Sequence, residues 1–313
     1  MDERGKHPLL ILAGPTAAGK TEISLAIAHE LNGAVISCDS AQVFRGLDIG
    51  TAKLLTEARR GIPHYGIDII DPHEPFSVAD YQHYAQPAIT EIVQQGKLPI
   101  LVGGTGLWIR ALIQNYLFSP QEPRISRVIR QHIRMIGDEH GWDIVRSILN
   151  TVDPASYHAI APQDYNRLTR ALEVFWTTGK PLPRDPQESP YRVSYWVLTR
   201  PLTELYERIG LRTREMIRQG LPNEVLALLH NGVSPSSQAL SAIGYKETVK
   251  WAFGLATEEE RDLLIVRHTR QYAKRQLTWF RSEKGARWLD LSFLSPQRVI
   301  QHIVHDVKEH LLN

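Results

Sequence analysis

The chain has one cysteine in 313 residues, Cys38, which excludes an internal disulfide and any multi-cysteine zinc site. Cys38 lies in an apolar run, where a small buried residue fits better than a reactive thiol. No apolar run approaches the roughly 20 residues needed to span a bilayer. The opening Met1-Asp2-Glu3-Arg4-Gly5-Lys6 is charged and no secretion-signal stretch follows it, so a cytoplasmic location without membrane contact is expected. Excess charge of one sign is also missing. Lys and Arg number 36 against 34 Asp and Glu, a net +2, so any polyanion binding must come from local patches rather than the global field. Repeats and low-complexity tracts are absent. Apolar content of 42% and charged content of 22% are those of a globular protein, long enough for one large domain or two modest ones. The thirteen histidines are scattered. Their closest set, His302, His305 and His310, falls on a polar terminal helix and reads as solvated surface.

What is present begins with the apolar run Leu9-Leu10-Ile11-Leu12, which feeds into Ala13-Gly14-Pro15-Thr16-Ala17-Ala18-Gly19-Lys20-Thr21. Residues 22–31 then carry apolar side chains at helical spacing. Strand, glycine-rich turn and helix in that order build a P-loop. Gly14, Pro15, Thr16, Ala17, Ala18, Gly19, Lys20 and Thr21 form the segment whose glycines let backbone N–H groups wrap a diphosphate, and the helix N-terminus adds partial positive charge. Within it Lys20 would bridge phosphate oxygens and the Thr21 hydroxyl would hold Mg²⁺. The chain therefore handles a diphosphate.

Buried strands are predicted at residues 34–38 and 98–102, with a helix over 78–95 between them. Strands alternating with helices predict an α/β fold, a P-loop-type parallel sheet core with helices on both faces. Ligands bind beyond the carboxyl ends of such strands, which places the P-loop, Asp39-Ser40 and the turn 103–106 on one rim. The alternation breaks after Ile113, and residues 124–178 read as helical throughout. A proline-rich linker follows at 179–190, then a strand at 192–198. The predicted organisation is a P-loop core in two parts, 1–116 and 191–313, with a helical insertion domain at 117–190 whose stems are 116–123 and the proline linker. The second core part is mostly helical: 202–219, 223–230 and a long helix opened by the capping box Thr257-Glu258-Glu259-Glu260, then a strand at 287–291 and a helix capped by Ser295-Pro296.

The strand at 98–102 ends in Gly-Gly rather than a Walker B acid, and no Asn-Lys-x-Asp guanine motif occurs. Asp39 is the acid at a strand end beside the P-loop. A carboxylate there positions a metal, accepts a proton from a nucleophile, or merely caps the following turn. Residues 267–281 form an acid-free basic and aromatic segment in which Arg267, Arg270, Lys274 and Arg281 share a helical face. Arg124, Arg127, Arg130 and Arg134 make a second stripe. Such runs are usually solvated faces, but two of them in a nearly neutral chain point to a polyanion larger than a nucleotide.

Together these residues resemble the bacterial tRNA dimethylallyltransferase (tRNA isopentenyltransferase) family. The P-loop with its Pro15-Thr16 pair matches, and residues 39–53, Asp39-Ser40-Ala41-Gln42 through Thr51-Ala52-Lys53, match the family's most distinctive block. Pro63-His64, Gly103-Gly104-Thr105-Gly106-Leu107, Arg170-Ala171-Leu172-Glu173-Val174, Ala242-Ile243-Gly244-Tyr245-Lys246-Glu247 and residues 270–281 match as well, so the resemblance covers nearly the whole chain. Phe44, Trp108 and Leu54 depart from it, and the zinc finger of eukaryotic members is missing.

The resemblance implies transfer of a dimethylallyl group from dimethylallyl diphosphate to the exocyclic amine of the adenine 3′ to the anticodon of tRNA; a monomer is expected, though the sequence itself is silent on oligomeric state. It makes Asp39, Thr105 and Lys20 the catalytic candidates. Contacts to the anticodon stem-loop fall to Asp39, Ser40, Ala41, Gln42, Lys274 and Arg275, and in the insertion to Gln163, Asp164, Tyr165, Asn166 and Arg167, whose alternative roles are helix capping and surface. Gln42 offers both a donor and an acceptor to an adenine edge. No ATP is needed, which accounts for a P-loop without a Walker B acid. The rival readings are an adenylate isopentenyltransferase acting on free nucleotide, a P-loop small-molecule kinase, and a non-catalytic RNA-binding protein.

Overall fold

The computed structural model describes residues 5–118, 123–182 and 188–312. The chain divides into two compact units, Met1–Gln114 with Ser189–Asn313, and Asn115–Glu188. The expected stems at 116–123 and 179–190 include residues 119–122 and 183–187, which lie outside the described residues.

In the first unit β1 (His7–Ala13) leads through the glycine loop into α1 (Lys20–Glu30) and then β2 (Gly33–Cys38). A long irregular stretch carries the two-residue β3 (His64–Tyr65) before α2 (Val78–Gln94), β4 (Leu98–Gly103) and α3 (Gly106–Ile113). The second unit holds α4 (Pro123–His140), α5 (Trp142–Val152), α6 (Pro154–Ala159) and α7 (Tyr165–Thr178). The first unit resumes with β5 (Tyr191–Thr199), α8 (Leu202–Arg218), α9 (Leu221–His230), α10 (Tyr245–Ala252), α11 (Glu258–Arg281), β6 (Arg287–Asp290) and α12 (Pro296–His310).

The strands form one parallel sheet in the order β3-β2-β4-β1-β5-β6. The apolar run of β1 is buried on both faces, as strands of a covered parallel sheet must be. Leu9, Ile11 and Ala13 pack on one side with Tyr81, Ile89, Trp108 and Phe280, drawn from α2, α3 and α11. Leu10 and Leu12 pack on the other with Ile23, Ile27, Val299 and Ile303, drawn from α1 and α12. The period of two thus sends alternate residues of one strand into two helical layers, and the α/β class with both faces covered is what the chain adopts.

Register sets the functional rim. Ala13 of β1 lies opposite Gly103 of β4 and Val197 of β5, and Cys38 of β2 lies opposite Gly103. The P-loop, Asp39-Ser40, the turn after Gly103 and Arg200 all leave the sheet at that edge. Gly14 is required there. Its φ is +143°, and a Cβ would sit 2.1 Å from the Leu198 carbonyl oxygen.

Several boundaries differ from the sequence reading for local reasons. α1 opens at Lys20, directly after Gly19 with φ +105°, so its first-turn amides point into the rim. α9 opens at Leu221, because Gly220 at φ +101° reverses the chain at once. α10 was not anticipated. Its N-terminus is closed by Glu247, whose carboxylate accepts the Gly244 N–H at 2.7 Å. The capping box before α11 forms as expected, with Thr257 and Glu260 bonded reciprocally.

The second unit has its own core of Ile133, Val145, Leu149, Ile160, Leu168 and Leu172. Asp153 caps α6 by accepting the Ser156 N–H at 2.9 Å. Glu173 is fully buried and receives Arg130, Arg170 and the Ser126 hydroxyl. Burial pushes its carboxyl upward, but these hydrogen bonds and the arginine charges outweigh that and hold it below the usual range.

Candidate functional site

The P-loop is held by side chains from three later segments. Gln276 of α11 accepts the Thr16 N–H at 2.8 Å and donates to the Gly104 carbonyl at 3.0 Å. Arg208 of α8 donates to the Ala17 carbonyl at 2.7 Å, and Arg200, just past β5, to the Ala18 carbonyl at 3.0 Å. The Ala18 N–H bonds to Pro15 O at 3.3 Å, and Ala18 is buried against Leu205 and Leu277. These bonds revise the sequence expectation for the cradle. Pro15 has no N–H, and those of Thr16 and Ala18 are engaged, so the amides open to an anion are those of Ala17, Gly19 and the first turn of α1.

Lys20 Nζ donates to the carbonyls of Gly14 at 2.8 Å and Pro15 at 2.7 Å. An ammonium has three donors, so one remains for an anion. Burial lowers its pKa to about 8, against the raising effect of the Asp39 charge and with the help of Arg212.

Asp39 follows β2, and its Oδ1 accepts the Ala41 N–H at 2.9 Å, the turn-capping bond foreseen as its alternative role. Thr105 Oγ1 accepts the Ser40 N–H at 3.2 Å, and Thr105 N–H reaches back to Cys38 O at 3.2 Å. Thr105 therefore ties the Asp39-Ser40 turn to the neighbouring strand end. Gln42 is held at both ends of its amide. Oε1 accepts the Ser37 hydroxyl at 2.9 Å, and Nε2 donates to the Thr51 carbonyl at 3.3 Å. One N–H and one lone pair remain for a ligand.

Two clefts of the first unit meet at this rim. One, of about 580 Å³, is bordered by Gly19, Lys20, Thr21 and Arg208. The other, of about 400 Å³, is bordered by Ser40, Ala41, Lys246 and Arg275. Thr16, Asp39, Thr51, Arg212 and Tyr272 border both. Thr105, Gly14, Pro15 and Ala18 border neither. Arg212 Nη1 donates to Thr16 Oγ1 at 3.3 Å and Nη2 to the Thr51 carbonyl at 3.1 Å. Burial pulls the Arg212 guanidinium below its usual range, and the Asp39 carboxylate opposes this. The Tyr272 phenol is pushed above its usual range by burial, with the Asp39 charge adding and the Thr105 hydroxyl opposing, so it stays a neutral donor.

The basic segment splits. Arg275 borders the cleft with Ser40 and Ala41, while Lys274 borders a separate groove with Arg267, Arg270 and Tyr206. Arg270 lies 5.0 Å and Lys274 5.9 Å from the Tyr206 ring centre.

In the second unit, Asp164 caps α7 by accepting the Arg167 N–H at 3.1 Å and pairs with the Arg167 side chain at 3.3 Å. Tyr165 stacks on Trp142 at 4.2 Å, Asn166 Oδ1 accepts from Arg134 at 2.9 Å, and Gln163 is exposed. Of the arginine stripe expected to meet a polyanion, Arg130 and Arg134 are engaged within this unit, by Glu173 and Asn166. The side chains of Arg124 and Arg127 lie outside those described.

Sequence reasoning missed Arg200, Arg208, Arg212, Tyr272 and Gln276. The signal was available for two of them, because Arg208 and Arg212 share a helix face at a spacing of four. For Gln276 no local pattern exists, since its partners are 260 and 172 residues away.

The model of the IPP transferase family matches residues 42–283. A tRNA dimethylallyltransferase from Moorella thermoacetica is 45% identical over 298 residues, covering 91% of this chain and 90% of that protein. Among solved structures, the full-length tRNA isopentenylpyrophosphate transferase from Bacillus halodurans is 40% identical, with a TM-score of 0.75 and 98% and 97% of the two chains covered. A eukaryotic dimethylallyltransferase acting on tRNA superposes with a TM-score of 0.79 at 26% identity, covering 97% of this chain and 80% of that one.

Proposed function

The chain belongs to the IPP transferase family, and from that premise we propose that it moves the dimethylallyl group of dimethylallyl diphosphate onto the exocyclic amine of the adenine 3′ to the anticodon in tRNA. The observation that carries this reading is that Asp39 and Arg212 border both clefts at once. A diphosphate on the Lys20 side and a base on the Ser40 side then meet across those two residues.

In the reaction the adenine amine attacks the allylic carbon, the carbon–oxygen bond breaks, and diphosphate leaves with the bonding pair. Lys20, Arg212 and the loop amides stabilise the charge that develops on the leaving oxygen, fixed in place before it appears. Asp39 takes the proton that the amine loses. Gln42, which borders the Lys20-side cleft with Asp39, keeps a donor and an acceptor for the edge of an adenine that has reached Asp39. Thr105 acts through the Ser40 amide as a positioning residue for the Asp39-Ser40 turn. The base must leave its stack to reach Asp39, and Arg275 on the base-side cleft is placed to meet RNA phosphate. Lys274 and residues 163–167 are assigned to the rest of the anticodon stem-loop.

Magnesium fits the donors present. The Thr21 hydroxyl borders the diphosphate cleft and has no partner among the described residues, and Asp39 borders the same cleft. No group of three or more His, Cys, Asp or Glu forms a metal cage among the described residues. Few protein ligands suit an ion that keeps its waters and shares phosphate oxygens. Thr21 would hold it, and when bound it neutralises charge on the diphosphate.

The test is incubation with dimethylallyl diphosphate, magnesium and unmodified tRNA, followed by nucleoside mass spectrometry. A dimethylallyl adduct on the adenosine 3′ to the anticodon is expected. Untouched tRNA with prenylated free AMP, or phosphate transfer from ATP, would overturn the reading.

A further inference from the structure

The turn at residues 48–50 carries a contact that the chemistry above does not use. The Glu224 carboxylate, at the start of α9, accepts three successive backbone N–H groups: Asp48 at 3.1 Å, Ile49 at 2.8 Å and Gly50 at 3.2 Å. The buried Tyr245 hydroxyl adds a fourth bond at 2.6 Å. Close approach is built in, since a Cβ on Gly50 would sit 2.5–2.6 Å from Tyr245 ring carbons and 2.8 Å from its hydroxyl. Lys53, almost fully buried, closes the far side of the loop by donating to Phe44 O at 3.0 Å and pairing with Asp48 at 2.6 Å and Asp68 at 2.5 Å.

The residue between these anchors is Thr51. Its hydroxyl is tied back to Leu47 O at 2.6 Å, and its carbonyl accepts from both Gln42 Nε2 and Arg212 Nη2. One carbonyl therefore sets the pose both of Gln42, which borders the Lys20-side cleft beside Asp39, and of Arg212, which borders both clefts. We propose that Glu224 is a positioning residue for both substrates at once, fixing the Asp48–Gly50 turn so that the Thr51 carbonyl orients Gln42 and Arg212 together. This rests on the transfer reading above. A carboxylate is suited to the task because charge-assisted bonds to several amides hold a turn more firmly than neutral ones.

Glu224→Gln keeps the size and loses the charge and one acceptor. Three quantities test it: thermal stability, the Kd for inorganic diphosphate, and the preference of an anticodon stem-loop for adenine over guanine at the modified position. Diphosphate binding is expected to weaken roughly tenfold, the scale of one lost charge-assisted bond, and the adenine preference to fall, in a protein that stays folded. A merely structural residue would lower stability without moving the base preference. In a Gln42→Ala background Glu224→Gln should not reduce the preference further, and in an Arg212→Lys background it should not weaken diphosphate further, since contacts in series are non-additive.

Unchanged diphosphate affinity and base preference in folded Glu224→Gln would overturn the proposal, and so would full additivity in both backgrounds. If Glu224→Gln does not fold, Tyr245→Phe decides, with smaller shifts in the same directions expected and none overturning it. Absence of transfer by the wild type removes the underlying reading. Additivity in a wild type that does transfer removes this proposal alone.

Discussion

The Gln276 side chain holds the Thr16 amide at 2.8 Å, so a residue of α11 fixes the loop that opens α1, 260 positions earlier in the chain. Its other end holds Gly104 at 3.0 Å, which links two of the strand-end turns that build the rim.

From this pairing a first prediction follows. Gln276→Leu keeps the volume and removes both bonds, leaving the Thr16 N–H and Gly104 C=O without partners in a mostly buried site. Each unsatisfied group costs about 1–3 kcal/mol. The variant is expected to lose stability on that scale and to bind diphosphate more weakly, as denaturant melts and calorimetric titration would register. Wild-type stability and affinity would mean that water or a neighbour replaces the amide.

The second prediction is a pH dependence. Lys20 has its pKa lowered to about 8 by burial, and in the proposed reaction it serves in its charged form. That form is dominant below pH 8 and is lost above it, so kcat/KM for the donor should fall about tenfold per unit above pH 8. Such a profile reports groups of the free enzyme. Lys20→Arg carries a charge that does not titrate in this range, and its activity, though lower, should lack the falling limb. An equal limb in both proteins would assign the titration elsewhere. Lys20→Ala should abolish transfer in a folded protein.

How much of this was legible in the chain depends on the range of the interactions. The run Leu9–Leu12, the P-loop glycines and the strand ends are local patterns, and both the parallel sheet and the shared rim followed from them. β3 has two residues and α10 eight, too short for periodicity to register. The hold on the P-loop was not legible, because Arg200 and Gln276 carry no local mark, and the shared helix face of Arg208 and Arg212 does not name its partners until the fold brings these side chains to Ala17, Ala18 and Thr16. Glu173 shows the converse. Its motif could be read as a family mark, and its physical role as the buried acceptor of two arginines appeared only with the packing of α4 against α7.

A third prediction separates two neighbours in sequence. Arg275 borders the cleft containing Ser40 and Ala41, whereas Lys274 borders the groove beside Tyr206. Arg275→Ala should weaken stem-loop binding, leave diphosphate affinity unchanged, and lower the salt slope by about 0.7–0.9 if one phosphate contact is lost. Lys274→Ala should do the same with a full-length tRNA. An unchanged slope in either variant would make that residue a solvated or intramolecular face, and for Lys274 the Tyr206 ring already supplies such a partner.

The last prediction concerns Asp39, where the capping bond and the proposed proton transfer meet in one side chain. Oδ1 accepts the Ala41 N–H at 2.9 Å, and the carboxylate borders both clefts. Asp39→Asn retains an oxygen for the Ala41 bond, and the two residues cap about equally well, so stability should change little. The amide cannot take a proton at neutral pH. A general base supplies about 10²- to 10⁴-fold in rate, so kcat should fall within that range while the Kd for the stem-loop moves much less. If Asp39 served chiefly to hold magnesium, the loss would be partly recovered by excess Mg²⁺, and the metal titration distinguishes this from proton transfer. Near-wild-type kcat at ordinary magnesium would leave Asp39 as the cap of the Asp39–Ala41 turn and nothing more.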